Sequence, residues 1–309
     1  MDRIAELSRQ LNEICPAVEQ REGEPLSAHT SFRIGGPARL MLIPPLPEHL
    51  RKVLRLCRAL ELTPVILGNG SNVLAPDQGL DAVVVKVGGG LKDLARLGET
   101  ELLCGAGVTL ARLAAFAQQN SLTGLEFAAG IPGTLGGGLV MNAGAYGGEL
   151  KDVAEQTWFL TMEGEERFLQ GEEQGFGYRR SAFSGGDRVI TSARLRLTQG
   201  DPEEIRARME ELAARRRASQ PLEWPSAGST FKRPAQGYAA ALIDQCGLKG
   251  LAVGGAQVSE KHAGFVINRG GATCADVLAL TERVRETVLR RAGVELELEV
   301  RVLGATGPQ

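Results

Sequence analysis

The stretch Gly130-Ile131-Pro132-Gly133-Thr134-Leu135-Gly136-Gly137-Gly138-Leu139-Val140-Met141-Asn142-Ala143-Gly144-Ala145-Tyr146-Gly147-Gly148 decides how this sequence is read. Eight of its nineteen residues are glycine, yet apolar residues are interleaved where a flexible Gly/Ser spacer would be polar. Backbone stripped of side chains in this way suits close approach to a flat or phosphorylated ligand. A second cluster, Gly68-Asn69-Gly70-Ser71-Asn72, follows directly on the apolar run Val65-Ile66-Leu67. A strand-to-loop turn dense in backbone N–H groups and small polar side chains suits a pyrophosphate. The two clusters belong to a general excess: 40 glycines in 309 residues, roughly 13 per cent against a typical ~7 per cent. Gly105 and Gly107 alone leave a ligand role and a plain turn equally open. No G-x-x-x-x-G-K-[ST] occurs, and neither Gly68-x-Gly70 nor Gly105-x-Gly107 is completed to G-x-G-x-x-G, so a P-loop and a Rossmann fingerprint are both excluded.

Around these clusters the chain has an ordinary globular composition, with 43% apolar and 23% charged residues. Its length predicts two or three domains around a shared site. Lys+Arg 35 against Asp+Glu 37 leaves a net charge of −2, too little for a global field that would hold a nucleic acid or an anionic membrane, so no nucleic-acid or membrane partner is expected. Cys15, Cys57, Cys104, Cys246 and Cys274 are odd in number and widely spaced without a C-x-x-C pair, which predicts buried free thiols and no metal site. The start Met-Asp-Arg-Ile-Ala-Glu is no secretory leader, and no apolar run reaches ~18 residues; the expected location is cytoplasmic.

Helical and strand periods alternate along the chain, which predicts an α+β class. Ile4, Leu7, Leu11 and Ile14 recur at helical spacing, as do Leu50, Val53, Leu54, Cys57 and Leu60, and Thr109 opens a helix presenting Leu113, Phe116 and Ala117. Strands are expected at 40–43, 64–67, 82–87, 102–104, 158–162 and 189–197. A charged helix after Asp201-Pro202 and a loop from Gln220 to Pro225 mark a boundary. Beyond it, strands are expected at 230–232, 264–268 and 296–303, with a helix facing inward through Val277, Leu278, Val284, Val288 and Leu289. The expected domains are therefore 1–200, in two lobes of about 1–85 and 86–200, then 201–303, with a tail at 304–309.

Six strings occur in one order: His29-Thr30-Ser31-Phe32-Arg33-Ile34-Gly35-Gly36-Pro37-Ala38, Leu67–Leu74, Gly130–Gly137, Gly177-Tyr178-Arg179-Arg180-Ser181, Ala227-Gly228-Ser229-Thr230-Phe231-Lys232 and Leu298-Glu299-Val300-Arg301. Together they resemble the UDP-N-acetylenolpyruvoylglucosamine reductases, the MurB flavoenzymes of bacterial cell-wall synthesis. The resemblance spans residues 25 to 304. It implies a two-lobed FAD-binding module of the vanillyl-alcohol oxidase/p-cresol methylhydroxylase type and a C-terminal α+β substrate-binding domain. It also implies non-covalent FAD, NADPH as electron donor, and reduction of an enolpyruvyl UDP-sugar to UDP-N-acetylmuramate in peptidoglycan synthesis. Another FAD oxidoreductase on this scaffold, acting on a sugar or hydroxy acid, is the alternative. The short spans from Arg179 to Glu203 and from Pro234 to Leu242 resemble the second, shorter type, which lacks a tyrosine-bearing lid loop.

The resemblance places the FAD on Gly68, Asn69, Gly70, Ser71 and Asn72. It adds Gly130, Ile131, Pro132, Gly133, Thr134, Gly136 and Gly137, then Asn142, Gly144 and Ala145. Hydride delivered from the flavin to the enolpyruvyl methylene carbon leaves an enolate, whose growing charge needs a cation and hydrogen bonds. Arg179 matches that cation, and Ser229 matches the donor that protonates the carbon next to the carboxylate, with Lys232 near enough in sequence to ease loss of its proton. Glu299 matches the third catalytic member, on an alternating run where Glu297 shares its face and Arg301 can balance its charge. Arg216, Arg217, Lys232, Arg233, Gln257 and His262 are the expected sugar-nucleotide contacts; Arg233 departs from the Asn that many relatives carry there.

Overall fold

The computed structural model describes residues 2–304, so the expected tail lies, beyond Gly304, outside the described residues. Two compact units emerge, each assembled from separated segments: the first from 1–22, 40–69 and 82–216, the second from 23–39, 70–81 and 217–309. Helices and strands are mixed in both, as the α+β reading requires.

In the first unit, α1 (Arg3–Ile14) and α2 (Pro47–Ala59) bury Ile4, Leu7, Leu11 and Leu50, Val53, Leu54, Cys57, the residues at helical spacing. Ile14 is the exception, half exposed at the end of its helix. They share a core with a sheet ordered Glu19–Pro25, Pro37–Ile43, Leu80–Lys86, Val65–Leu67, in which the last two strands run parallel with Val65 opposite Val84. The strand Glu19–Pro25 reads Glu-Gln-Arg-Glu-Gly-Glu-Pro and carries no apolar alternation; it forms because an edge strand needs only its backbone. A second, antiparallel sheet is ordered Glu166–Gln170, Ala154–Thr161, Arg188–Arg196, Glu101–Gly105, Leu94–Arg96. Against it lie α3 (Leu110–Gln119), capped by the Thr109 hydroxyl, and α4 (Leu135–Met141). α4 reads Leu-Gly-Gly-Gly-Leu-Val-Met, a run whose propensity opposes a helix, and packing of Leu135 and Leu139 overrides it. α5 (Pro202–Ser219) follows, almost entirely exposed except at Ile205 and Leu212.

The second unit is built on an antiparallel sheet of Ala252–Val253, Ala256–Val258 and Val266–Asn268, covered by α6 (Ala239–Gln245) and α7 (Cys274–Ala292). α7 buries Val277, Leu280, Thr281, Val284 and Val288; Leu278 and Leu289, expected inside, are exposed, because the true stripe follows 277-280-281-284-288. The strands expected at 230–232 and 296–303 are also shorter. Phe231 pairs Leu298 as a single bridge, and only Arg301–Val302 forms a strand, parallel to Val73–Leu74. The Asp77 carboxylate accepts from the N–H groups of Cys274 (2.7 Å) and Ala275 (3.0 Å), beside a Thr273/Asp276 capping box. Asp77→Ala is expected to lower stability by about 1–2 kcal/mol through these orphaned helix donors, read as a shift of the denaturant midpoint; an unchanged midpoint contradicts it.

All five cysteines are buried and unpaired. Burial pushes the Cys57 and Cys104 thiols up to about 12, so neither is a thiolate at neutral pH. Among the described residues, no helix is long and apolar enough to cross a membrane.

Candidate active site

The glycines of the first unit separate into two kinds. At Gly105 and Gly107 an added Cβ would sit 2.1 Å from the Leu91 carbonyl oxygen and 1.8 Å from that of Gly90, so both are required by backbone packing, and their open reading resolves to structure. Gly68, Gly130 and Gly137 meet no backbone: their nearest neighbours are the Thr134 hydroxyl (3.0 Å), the Arg216 side chain (3.0 Å) and the Thr134 hydroxyl again (3.7 Å). The strand Val65–Leu67 delivers Gly68 and Asn69 here, and Asn69 Nδ2 donates to the Pro132 carbonyl at 2.8 Å, tying the two glycine segments together. Leu135 and Gly136 donate to the Val108 and Ala106 carbonyls (2.8 and 2.9 Å), which seats the 130–137 segment on the Gly105–Val108 turn.

Thr134 stands at the N-cap of α4, 2% exposed, yet its hydroxyl makes no capping bond. Arg216 forms no ion pair among the described residues, and burial draws its pKa below the ordinary arginine value, partly offset by Tyr146. Uncovered backbone, a hydroxyl with no helix duty and a guanidinium without a carboxylate are the donor set a dinucleotide pyrophosphate requires. The residues fit FAD.

Past α4, Asn142 takes a left-handed backbone (φ 43°) and is 1% exposed. Its Oδ1 accepts from Lys151 N–H (2.9 Å), and its Nδ2 donates to the Glu149 carboxylate and to the Gly177 carbonyl (3.1 Å). The side chain is therefore spent inside the protein. Gly144-Ala145 pairs with Gly148-Glu149 around Tyr146 (φ 53°) and Gly147 (φ 90°), positive at both central positions as a type I′ turn demands. Gly177 and Arg180 close a tight turn by mutual hydrogen bonds of 3.0 and 3.3 Å. Arg179 occupies its third position with φ 55°, where Gly or Asn is usual, and its guanidinium lies 5.3 Å from the Tyr178 ring centre.

In the second unit the segment after Gly228 (φ 78°) runs against 297–299: Lys232 N–H donates to Glu297 O and Glu299 N–H to Thr230 O, both at 2.8 Å. Ser229 and Glu299 are thereby brought within a residue of register. Asn72 Nδ2 adds a bond to the Glu299 carbonyl (3.1 Å). Gly70 belongs to this unit for a packing reason, since a Cβ there would fall 2.0 Å from the His29 carbonyl oxygen. Lys232 pairs through its ammonium with Glu297, directly across, so its charge is already answered.

Of the expected sugar-nucleotide contacts, Arg233 stacks on Tyr238 (4.2 Å), Arg217 is exposed and gives its carbonyl to Lys261 Nζ (2.7 Å), and Gln257 donates to the Gly250 carbonyl (3.0 Å) with its Oε1 buried. His262 Nδ1 accepts from Gly264 N–H (3.2 Å) and its ring meets Phe265 edge-on. Burial, helped by Lys249, holds the His262 pKa below its ordinary 6.5. The unfolded chain thus takes up this proton first as pH falls, so stability is lost on acidification below about 6.5. Thermal midpoints from about pH 8 to 5 should fall faster for wild type than for His262→Gln; parallel curves contradict this.

Sequence reasoning missed the polar hub at Gln174, fully buried, which accepts from the Thr157 hydroxyl (2.7 Å) and donates to the Ala154 carbonyl (2.9 Å). Nothing in Gly-Glu-Glu-Gln-Gly distinguishes it from a solvated turn. Tyr146 was missed as well, although a bulky residue before Gly147-Gly148 was a legible sign of strain.

Comparison with known proteins gives this site its class. Residues 38–169 match the family model described as an FAD binding domain, which makes the protein a flavoprotein. Residues 220–303 match the C-terminal domain of UDP-N-acetylenolpyruvoylglucosamine reductase. Reductases of that name from Syntrophomonas wolfei (47% identical, covering 91% of this chain and 94% of the relative) and Geobacillus thermodenitrificans (44%, 98% and 99%) are similar along their length. The crystal structure of the Thermus caldophilus enzyme superposes with a TM-score of 0.78 at 37% identity, over 92% of this chain and 98% of that one. The chain belongs to the UDP-N-acetylenolpyruvoylglucosamine reductase family and is an FAD-dependent oxidoreductase.

Proposed function

We propose that this enzyme reduces UDP-N-acetylenolpyruvoylglucosamine to UDP-N-acetylmuramate with NADPH, in peptidoglycan synthesis, and that Arg179, Ser229 and Glu299 are its catalytic residues. The observation that supports the reading is the backbone pairing of the second unit, in which the bond from Glu299 N–H to Thr230 O joins the segment that carries Ser229, after a left-handed glycine, to the segment that carries Glu299. FAD, when bound, supplies the hydride equivalent it has received from NADPH. Gly68, Asn69, Gly130–Gly137, Gly144 and Ala145 would hold it, with Arg216 as a cation for its pyrophosphate.

The protein's own part is charge and proton management. The Arg179 guanidinium forks onto the substrate carboxylate and gains most as negative charge spreads into that group. The Ser229 hydroxyl gives its proton to the carbon beside the carboxylate, whose basicity as an enolate makes a poor acid sufficient. Glu299 polarises the carboxyl group alongside. The first unit is read as the flavin module and the second as the substrate-binding domain. Arg217 and His262 Nε2 are the contacts proposed for the sugar nucleotide, with Arg233 held on the Tyr238 ring, whereas Lys232 and Gln257 are spoken for in part by Glu297 and Gly250. A nucleotide-activated sugar and NADPH as reactants support a cytoplasmic enzyme, and the net charge of −2 supports the absence of a nucleic-acid partner.

The purified protein should be yellow, release FAD on denaturation, and bleach anaerobically with NADPH. A protein that stays colourless after reconstitution with FAD contradicts the reading.

A further inference from the structure

The end of α4 grips the Arg179 turn from both sides. Ahead of Arg179, the Gly177 carbonyl accepts from Arg180 N–H and also from Asn142 Nδ2 (3.1 Å). Behind it, the hydroxyls of Ser181 and Ser184 both donate to the Val140 carbonyl (2.9 and 3.0 Å), an acceptor in the last turn of the same helix. The turn itself is closed by a pair of backbone bonds between Gly177 and Arg180, with Ala182 N–H donating to the Gln174 carbonyl outside it, and carries a strained residue at its third position. A hairpin of this size does not hold its own geometry in water, so an outside anchor must fix it.

Asn142 is suited to that task in three ways. Its φ of 43° is tolerated by Asn, Asp and Gly and by few others. Only Asn combines such a backbone with both an acceptor, used by Lys151 N–H, and a donor, used by Gly177 and Glu149. Burial removes competing water, so the bond to Gly177 is maintained. Both of its side-chain N–H groups are committed inside the protein, which leaves no donor for a cofactor.

We propose that Asn142 is a positioning residue: through the Gly177 carbonyl it sets the turn that presents Arg179, and its side chain is not a flavin contact. The proposal rests on the role given to Arg179 above. Asn142→Asp keeps the backbone and the acceptor for Lys151 but turns a carboxylate oxygen toward the Gly177 carbonyl and Glu149. Adding Glu149→Gln restores a donor to residue 142 without restoring one to Gly177, which separates the two links. Both variants should bind FAD to the apoprotein with wild-type affinity and be reduced by NADPH at the wild-type rate. Re-oxidation by the enolpyruvyl sugar nucleotide should be slower by about 10- to 100-fold in both, the cost of a misplaced cation.

Recovery of wild-type re-oxidation in the double variant would assign the effect to the Glu149 link and overturn the proposal. So would a joint loss of FAD affinity and of both half-reactions, or normal re-oxidation in Asn142→Asp while Arg179→Ala is slow. If Arg179→Ala is itself normal, the role of Arg179 is what has failed. Should the aspartate variant not fold, Asn142→Gly suits the left-handed backbone and carries the same expectation.

Discussion

Ser229→Ala is expected to leave FAD binding and reduction by NADPH intact and to slow the substrate-dependent step by about 10²- to 10⁴-fold, the usual yield of a positioned general acid. Removal of the hydroxyl disturbs little else. Gly228 ahead of it turns with φ 78° in open space, and the backbone pairing from Thr230 to Glu299 and from Lys232 to Glu297 makes no use of the serine side chain. Thr230, the residue that is structurally committed, sits next to it, 2% exposed with its hydroxyl accepting from Val266 N–H at 2.9 Å. A Thr230→Ala control should therefore lose stability and Ser229→Ala should lose rate. Stopped-flow traces of flavin re-oxidation check this, and equal rates in Ser229→Ala and wild type would remove Ser229 from the chemistry.

Arg179→Lys is the second large effect, with an expected loss of about 10²- to 10³-fold in kcat, the scale for deleting one donor aimed at developing charge. Lysine keeps the charge and loses the planar fork. Because charge builds on the substrate carboxylate only as the reaction proceeds, the loss should fall on kcat more than on KM. The left-handed backbone at 179 is equally strained for either residue, so stability should barely move. A variant with raised KM and unchanged kcat would reduce Arg179 to a ground-state binding contact.

How much of this was legible in the sequence follows from what each signal depends on. Core faces of α1, α2 and α3 could be read because burial repeats at helical spacing. α4 could not, since three successive glycines erase its propensity and only the packing of Leu135 and Leu139 against distant residues makes it a helix. Both glycine clusters could be located from composition. Which glycines serve packing and which leave backbone uncovered could not, because Gly107 is defined by a carbonyl at Gly90 and Gly130 by a guanidinium at Arg216. Arg179, Ser229 and Glu299 had no local mark beyond the family strings. The structure adds a positive φ at Arg179 and an antiparallel pairing of the segments that carry Ser229 and Glu299, with Thr230 opposite Glu299. The bonds of the Asn142 side chain to Lys151, Glu149 and Gly177 had no mark in the sequence, because their partners lie up to 35 residues away.

The most direct test is anaerobic. Enzyme reduced with one equivalent of NADPH is mixed with UDP-N-acetylenolpyruvoylglucosamine, and the visible flavin band is followed while the sugar nucleotide is analysed. Return of the oxidised band with UDP-N-acetylmuramate formed in equal amount is the expected result. A flavin that stays reduced in the presence of that substrate would contradict it.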